Sequence, residues 1–155
     1  PALGDYLLLF RKPGDNPEPI TPGDGHPTRV SLYEWIDWAS PLYEADGYLS
    51  SGAWLDIRET NTLNTTVAKE DADERHICPL QLDFIERCVR LWSNPGDLVL
   101  DPFGGIGSTG VVAIQQGRRS VSCELKPSYF ATAVRNLQAA EAEASLPSLF
   151  VEVTP

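Results

Sequence analysis

The residues best placed to do chemistry run from Asp101 to Gly110. An aspartate ends an apolar run, Pro102-Phe103 follows, and Gly104-Gly105-Ile106-Gly107-Ser108-Thr109-Gly110 completes the stretch. A glycine-rich turn between an apolar strand and a helix lets a ligand approach the backbone and meet the helix amides. A phosphate-cradling loop would need a lysine after its glycines, and none follows here. Gly105 to Gly110 does fit GxGxxG, and Glu124 lies nineteen residues past Gly105, where an acid accepts ribose hydroxyls in dinucleotide folds. Blander roles are open for the same residues. The glycines could serve a tight helix start, Asp101 could cap the turn after it, and Glu124 could be a solvated strand end.

The elements that would position this loop are legible on both sides of it. Pro79 stands where a first helical residue tolerates proline, and Leu82, Ile85, Val89 and Trp92 recur at helical spacing up to Ser93-Asn94-Pro95-Gly96. Residues 97–101 read as a buried parallel strand, 108–117 as a helix closed by glycine, and 120–124 as a second strand. Residues 127–144, opened by Pro127 and rich in alanine, read as a long helix, and 149–153 as a third strand. Strand, helix, strand, helix, strand implies a parallel sheet with right-handed crossovers. Upstream, residues 13–28 hold five of the thirteen prolines and form a linker or loop. Ser31 with Glu34 reads as a capping box before a short helix, and residues 40–75 show no clear periodicity. The opening Gly4 to Lys12 has the look of a buried strand.

Asp101-Pro102-Phe103-Gly104-Gly105-Ile106-Gly107-Ser108, with His76-Ile77-Cys78-Pro79-Leu80-Gln81 upstream of it, resembles the cofactor segments of DNA amino-methyltransferases. These enzymes methylate N6 of adenine or N4 of cytosine. The resemblance extends from about Trp54 to Leu137 and is closest to a subgroup, including phage and prophage methylases, whose catalytic motif precedes the cofactor motifs. It implies a Rossmann-like S-adenosylmethionine-dependent methyltransferase fold of class α/β, here incomplete, with a parallel sheet and flanking helices. It also implies three regions: 1–12 as the end strand of a catalytic half, 13–75 as an irregular linker or recognition region, and 76–155 as the cofactor-binding part. For the cofactor S-adenosylmethionine, Asp101 would lie near the ammonium group, where a carboxylate favours a cation. Phe103, Gly104, Gly105 and Gly107 would shape the loop together with Pro102 and Ser108. Glu124, followed by Leu125, would accept the ribose hydroxyls. His76, Cys78, Pro79 and Gln81 would line the methionine side, although related enzymes often have lysine at the position of Gln81.

The same resemblance exposes an absence. Amine methylation in this family uses a [DNS]PP[YFW] tetrapeptide that holds the amine and stacks on a flipped-out base. Ser40-Pro41-Leu42-Tyr43 misses it by one residue and stands in the wrong place. No catalytic residue is therefore assigned, and the chain alone is expected to be inactive. With 12 basic and 22 acidic residues the net charge is −10, against the basic footprint of a duplex-binding surface. Duplex DNA would be gripped by the missing half, with local help from Arg29, Arg58 and Lys69, and the open sheet edge would favour self-association.

Composition adds bounds. The 155 residues are 42% hydrophobic, enough for one core, with no run of roughly 18 apolar residues to span a membrane and no secretion signal. Cys78, Cys88 and Cys123 form no CxxC pair, which fits a cytoplasmic chain without a disulfide or a metal. Two other functions remain expectations to be tested: an NAD-binding oxidoreductase domain and a non-catalytic cofactor-binding or interaction module.

Overall fold

The computed structural model describes residues 7–20, 23, 29–39, 43–45, 48–50, 53–63 and 79–146. The chain folds in the order α1 (Leu32–Ala39), β1 (Tyr43–Ala45), β2 (Tyr48–Ser50), α2 (Leu82–Trp92), β3 (Leu98–Asp101), α3 (Ser108–Gln115), β4 (Arg119–Ser122) and α4 (Pro127–Ala144).

Helix α1 starts where the sequence says it should. The Ser31 N–H donates to Glu34 Oε2 at 2.8 Å and the Glu34 N–H donates to Ser31 Oγ at 3.2 Å, a complete capping box. Burial works against the Glu34 carboxylate, but these bonds and Arg90 hold its pKa below the usual value. Residues 43–50, part of the stretch without clear periodicity, contain a hairpin: β1 and β2 pair antiparallel with Ala45 opposite Tyr48. The two intervening residues are Asp46-Gly47, a strong hairpin signal in their own right.

Helix α2 begins at Leu82, three residues after Pro79, so proline is not its first helical residue. The start is set by tertiary contacts. The Leu82 N–H donates to Asn61 O at 2.7 Å, and Asp83 accepts from the Arg58 guanidinium (2.9 and 2.6 Å), the Arg58 N–H and Asn61 Nδ2. The Arg58 bond foremost holds the Asp83 carboxyl far below the usual carboxylate range. Arg58 is thus engaged by Asp83. Among the other cations expected to help grip DNA, Arg29 gives its carbonyl to Arg90 Nη2 at 3.0 Å, and Lys69 lies outside the described residues.

The apolar stripe of α2 packs Ile85 and Val89 against Val112 of α3, with Leu82 and Phe84 beside them. A cation also sits in the buried face. Arg87 makes a two-pronged pair with Asp56 at 2.9 and 2.7 Å, and its guanidinium lies 4.5 Å from the centre of the Trp38 ring and 5.0 Å from that of Trp54. Trp54 in turn packs on Phe84 and Trp92. These contacts dock α1 and residues 53–63 onto α2, so Trp38 and Trp54 are anchors. Burial pushes the Cys88 thiol up to about 12.

Strands β3 and β4 pair in parallel, with Asp101 opposite Ser122, and α3 is the crossover between them. The parallel α/β unit is therefore present. Its burial differs from expectation: Leu98 is 55% exposed and Leu100 65% exposed, so β3 is not a strand buried on both faces. Alternation explains this. Val99, Asp101, Ser120 and Ser122 share the more buried face, while Leu98, Leu100 and Val121 point away from it, and no described element covers that side. Leu7 to Phe10 also differ from the strand expected over Gly4 to Lys12. The described residues 7–12 are exposed and form no strand, because no described strand lies alongside to complete their hydrogen bonds. The strand expected at 149–153 lies outside the described residues. No described helix is long and apolar enough to cross a membrane.

Candidate cofactor site

The glycine loop leaves the carboxyl end of β3 and is tied down at nearly every residue. Asp101 Oδ1 accepts the Phe103 N–H at 2.9 Å, an Asx turn that starts the loop. Asp101 therefore has a capping role, and this does not compete with a ligand role for its second oxygen. The Gly104 N–H donates to Cys123 O at 2.8 Å, stitching the loop to the end of β4. A Cβ on Gly104 would lie 2.9 Å from Ser122 Cβ and 3.3 Å from Cys123 O, so only glycine fits that approach.

Gly105 turns the chain with φ +53°, and its N–H donates to Glu124 Oε2 at 2.8 Å. Glu124 Oε1 accepts the Lys126 N–H at 2.8 Å. The acid singled out by spacing thus bridges the loop to the start of α4. An ionised carboxylate has about four lone-pair sites, so two backbone donors leave room for further hydroxyl donors. A Cβ on Gly105 would meet nothing within 4 Å, which places open space directly over the loop's turn.

Beyond Gly105 the loop enters α3. Gly107 caps the helix at φ +91° with no side-chain cap bond, so the helix amides face outward from a glycine and Ser108 is the first helical residue. A Cβ on Gly107 would be 3.3 Å from Ala133 Cβ of α4, and one on Gly110 would be 2.6 Å from Leu137 Cδ2 and 3.0 Å from Ser120 Oγ. Gly110 therefore serves close packing of α3 on β4 and α4. Asn136 Nδ2 of α4 donates to Ile106 O at 2.8 Å. Asn136 and Ala133 were not singled out from sequence; their three-residue spacing on one face of α4 was the available signal.

Around this loop three of the expected site residues stand open. Pro102 is exposed, Phe103 is 88% exposed and Leu125 is 99% exposed, and the last two follow the ends of the paired strands. Pro79 and Gln81 are half-buried; Gln81 precedes α2 and gives its carbonyl to the Ile85 N–H. His76 and Cys78 lie outside the described residues, as do Ser40 to Leu42, whereas Tyr43 opens β1. The structure therefore gathers Asp101, Gly104, Gly105, Gly107 and Glu124 into one cradle. An acid past the strand end with lone pairs to spare, glycine φ angles that other residues rarely adopt, and open space over the turn fit an adenosine-bearing ligand.

Type II methyltransferase M.Cfr9I of Citrobacter freundii is 32% identical over 145 residues, covering 87% of this chain and 45% of that protein. Type II methyltransferase M1.MboII of Moraxella bovis is 48% identical over 54 residues, 35% of this chain and 21% of the relative. A crystal structure of an M1.HpyAVI–SAM complex is 36% identical with a TM-score of 0.37, covering 38% of this chain and 31% of that one. This chain spans less than half the length of each of these relatives. The sequence pattern of the DNA methylase family N6_N4_Mtase matches residues 3–135, nearly the whole chain, with the cradle inside the match, and the chain belongs to that family.

Proposed function

We propose that this chain is the S-adenosylmethionine-binding part of a DNA methyltransferase that transfers a methyl group to the exocyclic amine of adenine or cytosine. The observation that carries the reading is the glycine loop held by Glu124, with Gly105 turned beneath open space. Bound there, S-adenosylmethionine would supply an electrophilic methyl on a sulfonium. The chain's own residues would do the positioning. Glu124 would accept the ribose hydroxyls with the lone pairs left by Gly105 and Lys126. Asp101 would hold the ammonium while its Oδ1 keeps the loop started. Phe103 and Leu125, exposed on either side, would cover apolar surface of the ligand. His76, Cys78, Pro79 and Gln81 would line the methionine end.

Duplex DNA is the substrate this reading implies, and an acidic chain with Arg58 engaged by Asp83 supplies little of its grip. Self-association would run through the open sheet, and a cytoplasmic setting suits the chemistry. Family membership favours this reading over the NAD-dependent oxidoreductase. The test is photocrosslinking of methyl-labelled S-adenosylmethionine to the 155-residue chain, followed by peptide mapping. Label within residues 76–81 or 98–126, competed by S-adenosylhomocysteine, supports the reading. Label spread elsewhere, or none that competitor removes, refutes it.

A further inference from the structure

The Ile106–Gly107 peptide ends on a glycine of positive φ, +91° at Gly107, one residue after Gly105 has turned the chain at +53°. The unit can rotate because Gly107 has no Cβ, so its φ can change sign while ψ of Ile106 takes up the rest of the turn. In a trans peptide the carbonyl and the N–H point in opposite directions, so a rotation would exchange the dipoles that the loop presents. Two contacts hold this unit in one orientation. Its N–H donates to Gly104 O at 2.8 Å within the loop, and its carbonyl accepts Asn136 Nδ2 at 2.8 Å from α4. Only the second comes from outside the loop.

The setting of Asn136 supports a dedicated role. Asparagine is a poor helix former in mid-helix, where its amide competes with the backbone, and α4 runs nine residues before it and eight after it. Ala133, one turn earlier on the same face, lies close enough to Gly107 that a Cβ there would sit 3.3 Å from its own. A small residue brings α4 near the loop, and the asparagine then reaches a carbonyl that belongs to a buried residue, Ile106 at 6% exposure.

We infer that Asn136 is a positioning residue for the cofactor loop, its side-chain amide fixing the Ile106–Gly107 peptide in the orientation that receives the ligand; this rests on the loop being the S-adenosylmethionine site. Without the bond, the carbonyl is left without its donor and the unit gains a second orientation that binding must then exclude.

Three variants of the 155-residue chain test this: Asn136→Leu, similar in size without a donor; Asn136→Gln, which keeps the donor on a longer arm; and Ile85→Val, a packing change in α2 away from the loop. Amide exchange at Gly107 is measured in the ligand-free chain, and S-adenosylhomocysteine affinity by calorimetry. Asn136→Leu should exchange Gly107 faster and bind about five- to tenfold more weakly, equivalent to about 1 to 1.4 kcal/mol. Asn136→Gln should recover part of both. Ile85→Val should lower the melting temperature and move neither, which a merely structural role of Asn136 would not reproduce. Unchanged Gly107 exchange in Asn136→Leu, or an affinity loss matched by Ile85→Val, overturns the positioning role. A wild-type chain that binds no S-adenosylhomocysteine overturns the cofactor reading instead, and the Gly107 measurement then still decides the role of Asn136 in the loop. Should Asn136→Leu fail to fold, wild-type exchange and affinity in Asn136→Asp, which loses the same donor, would overturn the proposal.

Discussion

Two neighbouring glycines should respond to alanine in opposite ways. At Gly104 the new methyl would meet Ser122 Cβ at 2.9 Å, well inside the roughly 3.5 Å of an ordinary carbon contact. Ser122 belongs to a paired strand, so the loop must move, and that stretches the 2.8 Å bond from the Gly104 N–H to Cys123 O. Overpacking of this kind costs about 1 to 3 kcal/mol, and a weakened buried hydrogen bond adds about 1 more. At Gly105 nothing lies within 4 Å of the new methyl. The cost there is only the left-handed backbone, about 1 to 2 kcal/mol for a residue with a Cβ. Urea unfolding should therefore find Gly104→Ala the less stable by about 1 to 2 kcal/mol. Affinity should rank by different physics. The Gly105 methyl occupies the space over the turn and should weaken S-adenosylhomocysteine binding by at least about tenfold, equivalent to about 1.4 kcal/mol. Calorimetry on both variants gives the comparison. Gly105→Ala with wild-type affinity would refute the reasoning, because the open space would then not be where the ligand lies.

Glu124→Ala should weaken S-adenosylhomocysteine binding by about 1 to 3 kcal/mol and also destabilise the ligand-free chain, since the Gly105 and Lys126 amides both lose their acceptor; paired calorimetry and urea unfolding check both. The 155-residue chain should transfer no labelled methyl to duplex DNA, and incorporation that Tyr43→Ala abolishes would make Ser40 to Tyr43 a working motif. Asp83→Asn should lower stability near neutral pH. Its folded pKa lies below the unfolded value, so the stabilisation is full above about pH 4 and is lost as pH falls below that; the wild-type and variant unfolding curves should converge in acid.

The cradle was legible because it depends on local backbone rules. Gly105 and Gly107 turn the chain where only glycine is at ease, Pro127 opens α4 at its observed first residue, and Glu124 stands two residues past the end of β4. What the sequence did not reveal depends on partners distant in the chain. Leu98 and Leu100 have the composition of a doubly covered strand, but coverage is decided by which elements lie on each face. Pro79 is a plausible helix start, but Asn61 and Arg58 set the start of α2 at Leu82 and Asp83. Arg87 interrupts the apolar stripe as a surface cation would, and is buried because Asp56, Trp38 and Trp54 converge on it. The hairpin is a different case: Asp46-Gly47 was a readable signal in a segment otherwise lacking pattern.

The central claim is that residues 98–126 hold S-adenosylmethionine, and one titration tests it most directly. S-adenosylhomocysteine and NAD are titrated in parallel into the 155-residue chain by calorimetry. Saturable one-to-one binding of S-adenosylhomocysteine and no saturable heat from NAD are expected. Saturable NAD binding with no response to S-adenosylhomocysteine would contradict it.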